Sequence, residues 1–156
     1  MSNVSPLVNP PSPQSLSHRL ATEADVPFLL ALRTESLGPH YLAAGIPQSP
    51  ADREAKVRLH FDCTEILESQ ERSVGMLKVL RAESEWRLVQ IQLVASHRGT
   101  GIGSYLVAAL VKEAKVNRAS LCLSVLKASP ARRLYERSGF VVTSESESVF
   151  HMRAAG

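Results

Sequence analysis

Apolar and polar positions along the 156-residue chain change rhythm several times, and each change marks an element. Residues 17–21 read as a short first strand. Thr22-Glu23-Ala24-Asp25 has the form of a helix-capping box, with Asp25 in the place of the usual glutamate. Phe28, Leu29, Leu32 and Leu37 then recur at helical spacing, and Gly38-Pro39 predicts a stop. A loop over 40–48 holds Tyr41, Leu42 and Ile46. Ser49-Pro50 restarts a helix, as N-cap and first residue, that runs to about residue 62. Two apolar runs, 63–68 and 74–82, flank a polar turn and predict strands. A tight turn at Glu83-Ser84 leads to a third strand over 87–94, rich in Leu, Val and Ile but carrying Gln90 and Gln92.

The pattern becomes helical again over 101–117, with Ile102, Leu106, Ala109 and Leu110 on one face. Leu121, Leu123 and Val125 mark a strand over 120–125. A helix over 130–138 ends at Gly139, and 140–146 with 148–153 form a closing hairpin. Three consecutive strands joined by turns make an antiparallel meander. The helix that joins 87–94 to 120–125 requires those two strands to be parallel. The expected fold is a mixed α/β sheet, mostly antiparallel and flanked by helices.

Between strand 87–94 and the next helix lies Arg98-Gly99-Thr100-Gly101-Ile102-Gly103. Strand, glycine turn and helix in that order aim backbone N–H groups and the positive end of a helix dipole at one point, which suits a phosphate. Spacing separates the candidate ligands. A mononucleotide loop needs Gly-Lys-Ser/Thr after the turn, and no such step follows. A dinucleotide turn needs Gly-x-Gly-x-x-Gly, but counting from Gly99 the sixth position is Ser104.

Arg98, Gly101 and Gly103 instead match an Arg/Gln-x-x-Gly-x-Gly/Ala signature, and the segment resembles the GNAT superfamily of N-acetyltransferases. A second segment, Pro130-Ala-Arg-Arg-Leu-Tyr-Glu-Arg-Ser-Gly-Phe140, resembles that family's other recurring stretch, in the same order along the chain. The resemblance covers about residues 17–153. It implies a splayed parallel strand pair at the cofactor site, acetyl-coenzyme A as co-substrate, and a primary amine as acceptor that attacks directly in a ternary complex. The pantetheine arm would lie along the backbone of Leu93, Val94 and Ala95. The pyrophosphate would meet the N–H groups of Arg98, Gly99, Thr100, Gly101, Ile102, Gly103 and Ser104, with the Arg98 side chain organising the loop. Tyr135 matches the tyrosine whose hydroxyl protonates the departing thiolate. Ser129 stands where many members carry a cofactor-contacting asparagine, a departure that bears on affinity.

No general base stands out on strand 87–94, since neither Gln90 nor Gln92 can take a proton. Glu35 and Glu85 rank low as substitutes, and His40, Tyr41 and His97 belong to loops that border the expected site. The missing base keeps open a second reading, a module that senses acyl-coenzyme A without turnover.

Composition narrows the rest. One domain over 17–156 is expected, after a disordered lead-in over 1–16, where residues 1–17 carry no charge, four prolines and five serines. A net charge of +3 with signs interspersed calls for no nucleic-acid face. No apolar run reaches the ~18–20 residues of a membrane span. Cys63 and Cys122 have no metal-type spacing, and reduced buried thiols in a cytoplasmic protein are the expectation, with a homodimer allowed.

Overall fold

The computed structural model describes residues 15–154, so the expected lead-in lies almost wholly outside the described residues. Among the described residues, seven strands form one sheet: β1 (Ser17–Leu20), β2 (Thr64–Ser69), β3 (Arg72–Arg81), β4 (Glu85–Leu93), β5 (Ser120–Leu126), β6 (Val141–Glu145) and β7 (Val149–Ala154). Their order is β1-β2-β3-β4-β5-β7-β6. Every neighbouring pair is antiparallel except β4–β5, which is parallel as the helical crossover requires. The helices are α1 (Val26–Ala43), α2 (Pro50–Arg58), α3 (Ile102–Val116) and α4 (Arg132–Arg137).

The sheet has a core on each face. On one, α3 buries Ile102, Leu106, Val107, Leu110 and Ala114 against Leu77, Leu88, Leu121 and Leu123. Val107 takes the place expected for Ala109, which is exposed. On the other face, Leu29 and Leu32 of α1 and Val57 of α2 cover Ile66 and Met76. At ~1.5–3 kcal/mol per fully buried aliphatic side chain, these two layers supply most of the stabilisation that offsets chain ordering.

Two helix ends differ from expectation. α1 runs through Gly38-Pro39 to Ala43, because one proline removes only one helical bond, and the next turn is held by its own contacts. Arg33 donates to the Tyr41 hydroxyl at 3.0 Å. The helix then closes in a Schellman arrangement, Ile46 N–H to the Tyr41 carbonyl and Gly45 N–H to that of Leu42, with Gly45 at φ +71° in the role expected of Gly38. α2 stops at Arg58 rather than near residue 62, since His60 turns left-handed and Lys78 from the sheet takes the carbonyls of Lys56, Val57 and Leu59. Both cysteines are free, and each is half-buried rather than buried.

One irregularity shapes the site. β4 holds an extra residue, Val89, opposite the Lys78–Val79 step of β3. Before this bulge Trp86 and Leu88 face α3; after it Ile91 and Leu93 do, which turns Gln90 and Gln92 toward α1 and α2. The parallel ladder to β5 covers only Glu85 to Leu88 and ends at the same point. Past the bulge the two strands diverge. Gly75 of β3 lets the diverging end of β4 pack closely, for a Cβ there would lie 2.5 Å from the Gln92 carbonyl oxygen.

Candidate active site

A cleft of about 600 Å³ opens where β4 and β5 part. Its walls are Ile91, Gln92 and Leu93 of β4, Ser36, Leu37 and His40 of α1, Leu134 and Tyr135 of α4, and Ala131 just before that helix. The glycine turn and the start of α3 close one end through Arg98, Gly99, Gly101, Gly103 and Ser104.

The turn is built to present main chain. Gly99 and Gly101 have φ of +70° and +87°, a region that side-chain-bearing residues rarely enter. The first helical bond of α3 runs from Tyr105 N–H to the Gly101 carbonyl, so the preceding N–H groups lack intrahelical acceptors at the cleft mouth. Thr100 locks the turn by donating to the His97 carbonyl at 2.8 Å. Arg98 fastens it from both sides, through Nε to the Leu93 carbonyl at 2.8 Å and through Nη2 to Glu35 at 2.6 Å. Its guanidinium thereby joins β4, the loop and α1.

Val94 N–H bonds to the Val74 carbonyl, so by the alternation of a strand the Leu93 peptide groups point the other way, toward the cleft. The chain then turns through a short 3-10 segment at Ala95–His97, which uses the Val94 and Ala95 carbonyls. The open strand edge is therefore centred on Ile91 to Leu93, where the Leu93 carbonyl already accepts from Arg98 Nε and the Leu93 N–H does not bond to β3. Of the residues singled out from sequence, Leu93, Arg98, Gly99, Gly101, Gly103, Ser104, Ser129 and Tyr135 line the cleft. Val94, Ala95, Thr100 and Ile102 do not line it, Thr100 being exposed and Ile102 buried in the core.

Tyr135 sits on α4 across the cleft from the glycine turn, its ring edge-on to buried Phe140 with centroids 5.8 Å apart. Burial pushes the phenol up to about 12, so it stays protonated at neutral pH. Ser129 Oγ accepts from the Ala131 N–H at 3.2 Å and starts the turn into α4. Glu35 is tied to Arg98, Glu85 pairs with Arg153 at the far end of β4, and neither is among the residues that line the cleft. His40 does line it. Pattern reading missed Arg133 and Arg137, whose four-residue spacing on α4 brings both to the cleft. Arg98 is already paired with Glu35, but Arg133 and Arg137 enter no ion pair among the described residues, which suits the cleft to an anionic ligand.

Left-handed glycines, unpaired helical N–H groups, an open strand edge and arginines together fit a ligand with a phosphate end and an amide-bearing arm. The comparisons agree. A family model described as an acetyltransferase (GNAT) domain matches residues 56–154. Among curated proteins none matches the chain. Solved structures of similar fold include the PaiA N-acetyltransferase of Thermoplasma acidophilum in complex with coenzyme A, 17% identical with a TM-score of 0.70, covering 91% of this chain and 99% of that one. Another is the spermidine N-acetyltransferase of Vibrio cholerae in complex with CoA and spermine, 19% identical with a TM-score of 0.65, covering 90% and 95%. Ard1 of Thermoplasma volcanium is 19% identical with a TM-score of 0.65, over 89% and 96%. At these identities the likeness is one of fold, while the family model covers more than half of the sequence. The chain belongs to the GNAT acetyltransferase family, the acyl-CoA N-acetyltransferases that use acetyl-coenzyme A as co-substrate.

Proposed function

We propose that the protein moves the acetyl group of acetyl-coenzyme A to a primary amine, by direct attack of the amine while both substrates are bound. The observation that supports this reading is the cleft itself, whose lining includes residues of the glycine turn, of the open end of β4 and Tyr135. The pyrophosphate would lie on the N–H groups at Gly101 to Ser104, with Arg133 and Arg137 near the phosphates. The pantetheine arm would pair with the Leu93 peptide as an added strand does. That leaves the thioester between the splayed strands, near Tyr135.

Attack by the amine nitrogen forms the new C–N bond, and the C–S bond to coenzyme A breaks. Tyr135 gives its proton to the departing sulfur and regains one from solvent; its phenol is protonated at neutral pH and so is present as donor. Among the residues described, its hydroxyl has no hydrogen-bond partner to compete for that proton. The amine must also lose a proton. Among the side chains lining the cleft, the His40 imidazole is the group suited to accept it, directly or through water. The experiment is thiol release from acetyl-coenzyme A across a panel of amines, amino acids and peptides, with mass spectrometry of the acceptor. One or more amines should gain an acetyl group at a rate that depends on the protein.

A second reading, a sensor that binds acyl-coenzyme A without turnover, draws on the glutamines of β4 and on the engagement of Glu35 and Glu85 elsewhere. Tight cofactor binding with no acetylated product in any arm of the panel would favour it.

A further inference from the structure

Beneath α1 and α2, on the face of the sheet that carries Gln90 and Gln92, lies a second, much smaller cavity of about 10 Å³. That is the scale of one atom-sized guest. Arg33, Thr64, Lys78, Gln90 and Gln92 line it. Two of these are cations withdrawn from water, Arg33 with 4% and Lys78 with 1% of its surface exposed. Neither enters an ion pair among the described residues, although a buried charge left without a counter-charge is among the costliest features a fold can carry. Lys78 meets this in part by donating to three carbonyls at the end of α2. Arg33 does not: Nη2 donates to Tyr41, but Nε and Nη1 have no partner among the described residues.

The other unpartnered atoms are informative by their kind. Gln92 Nε2 and Thr64 Oγ1 are also buried without partners, and both residues line the same cavity. Two of the four unpartnered atoms, both on Arg33, can only donate, and the Gln92 amide and the Thr64 hydroxyl can each present a donor. A water molecule brings two hydrogens of its own and needs acceptors for them. A guest that only accepts, and that carries negative charge, answers every one of these groups and both cations.

We propose that this cavity binds one chloride-sized anion, held by the Arg33 guanidinium, the Gln92 amide and the Thr64 hydroxyl, with the Lys78 ammonium adding charge. The volume selects a monatomic ion over the carboxylate of a free acid or of an acceptor substrate. Gln92 also borders the cofactor cleft, so the ion would brace the strand on which the cofactor arm is expected to lie. The site rests on the buried groups alone and stands whether or not the cleft transfers acetyl.

The test uses the full chain. Crystals soaked in sodium bromide should show an anomalous peak within hydrogen-bond distance of Arg33, Thr64 and Gln92. Thermal melts at constant ionic strength should rise saturably with chloride or bromide replacing gluconate, while formate replacing gluconate should have no such effect. Thr64→Val, nearly isosteric, should raise the half-saturating bromide concentration by about tenfold through loss of one donor. Arg33→Met should remove the halide dependence, and if it does not fold, the soak and Thr64→Val still decide. No anomalous peak and identical melts in bromide and gluconate would overturn the site. A saturable response to formate with none to halide would overturn the monatomic assignment in favour of a carboxylate.

Discussion

Tyr135 is the side chain on which the proposed chemistry turns, and Tyr135→Phe isolates it. The phenylalanine ring keeps the edge-on contact with Phe140 and loses only the hydroxyl. Turnover should fall, with cofactor affinity little changed, as measured by single-turnover thiol release beside calorimetric titration. General-acid assistance is worth ~10²–10⁴-fold, and a thiolate is a good enough leaving group to put this case near the lower end. The loss should shrink as pH drops and solvent supplies the proton. Equal rates across the pH range, with chemistry rate-limiting, would assign Tyr135 to packing. At this scale the sequence was legible where a residue belonged to a contiguous motif, as Tyr135 does. It was silent on Arg33, Thr64 and Lys78, because buried polar groups from separate elements meet only through the fold.

Two elements carry predictions of their own. Gly103 lies in the first turn of α3, and a Cβ there would meet only Leu134 Cδ1, at an ordinary 3.5 Å. Gly103→Glu should therefore fold, helped slightly by a carboxylate at a helix start, while its charge occupies the space proposed for phosphate. Circular dichroism should be unchanged and acetyl-coenzyme A binding lost; retained affinity would make the glycine turn merely architectural. At the junction of β1 and α1, Arg19 grips Asp25 with contacts of 2.7 and 2.8 Å, and the Thr22 N–H adds a third. The guanidinium bonds, against the opposing effect of burial, hold the Asp25 carboxyl down to about 2. A depressed carboxyl stabilises the fold above its unfolded pKa, and that contribution drains away as pH falls through about 2. Urea melts should show Asp25→Asn less stable than wild type by about 2 kcal/mol near pH 5, with the gap closing toward pH 2. An equal gap at both pH values would count against the ion pair. The capping box that sets this clamp was readable from Thr22 and Asp25, since it is local. The end of α1 was not, because Gly38-Pro39 carries the same stop signal as Gly45, and only the packing of Tyr41 on Arg33 decides between them.

At the scale of the whole molecule the sheet is two blocks, β1 to β4 and β5 to β7, joined by a parallel ladder of four residue pairs and by α3 packed across both. The parallel pair was legible from the order strand, helix, strand. The bulge at Val89 that ends it was not, because a run of Leu, Val and Ile with two glutamines hides a change of alternation inside an otherwise apolar strand. That bulge leaves a wedge between the blocks, and a ligand that fills the wedge binds the folded state alone. Acetyl-coenzyme A at a hundredfold excess over its dissociation constant should then add ~2.7 kcal/mol of stability. For a domain of this size that corresponds to a rise in Tm of about 5–10 °C. Amide exchange should slow at Ile91 and Leu93 on β4 and at the first N–H groups of α3, and stay unchanged at the β6–β7 hairpin, which lines no part of the cleft. Gly103→Glu should abolish both effects. A melt unmoved by the cofactor, with no protection at either place, would mean that the wedge is not where acetyl-coenzyme A binds.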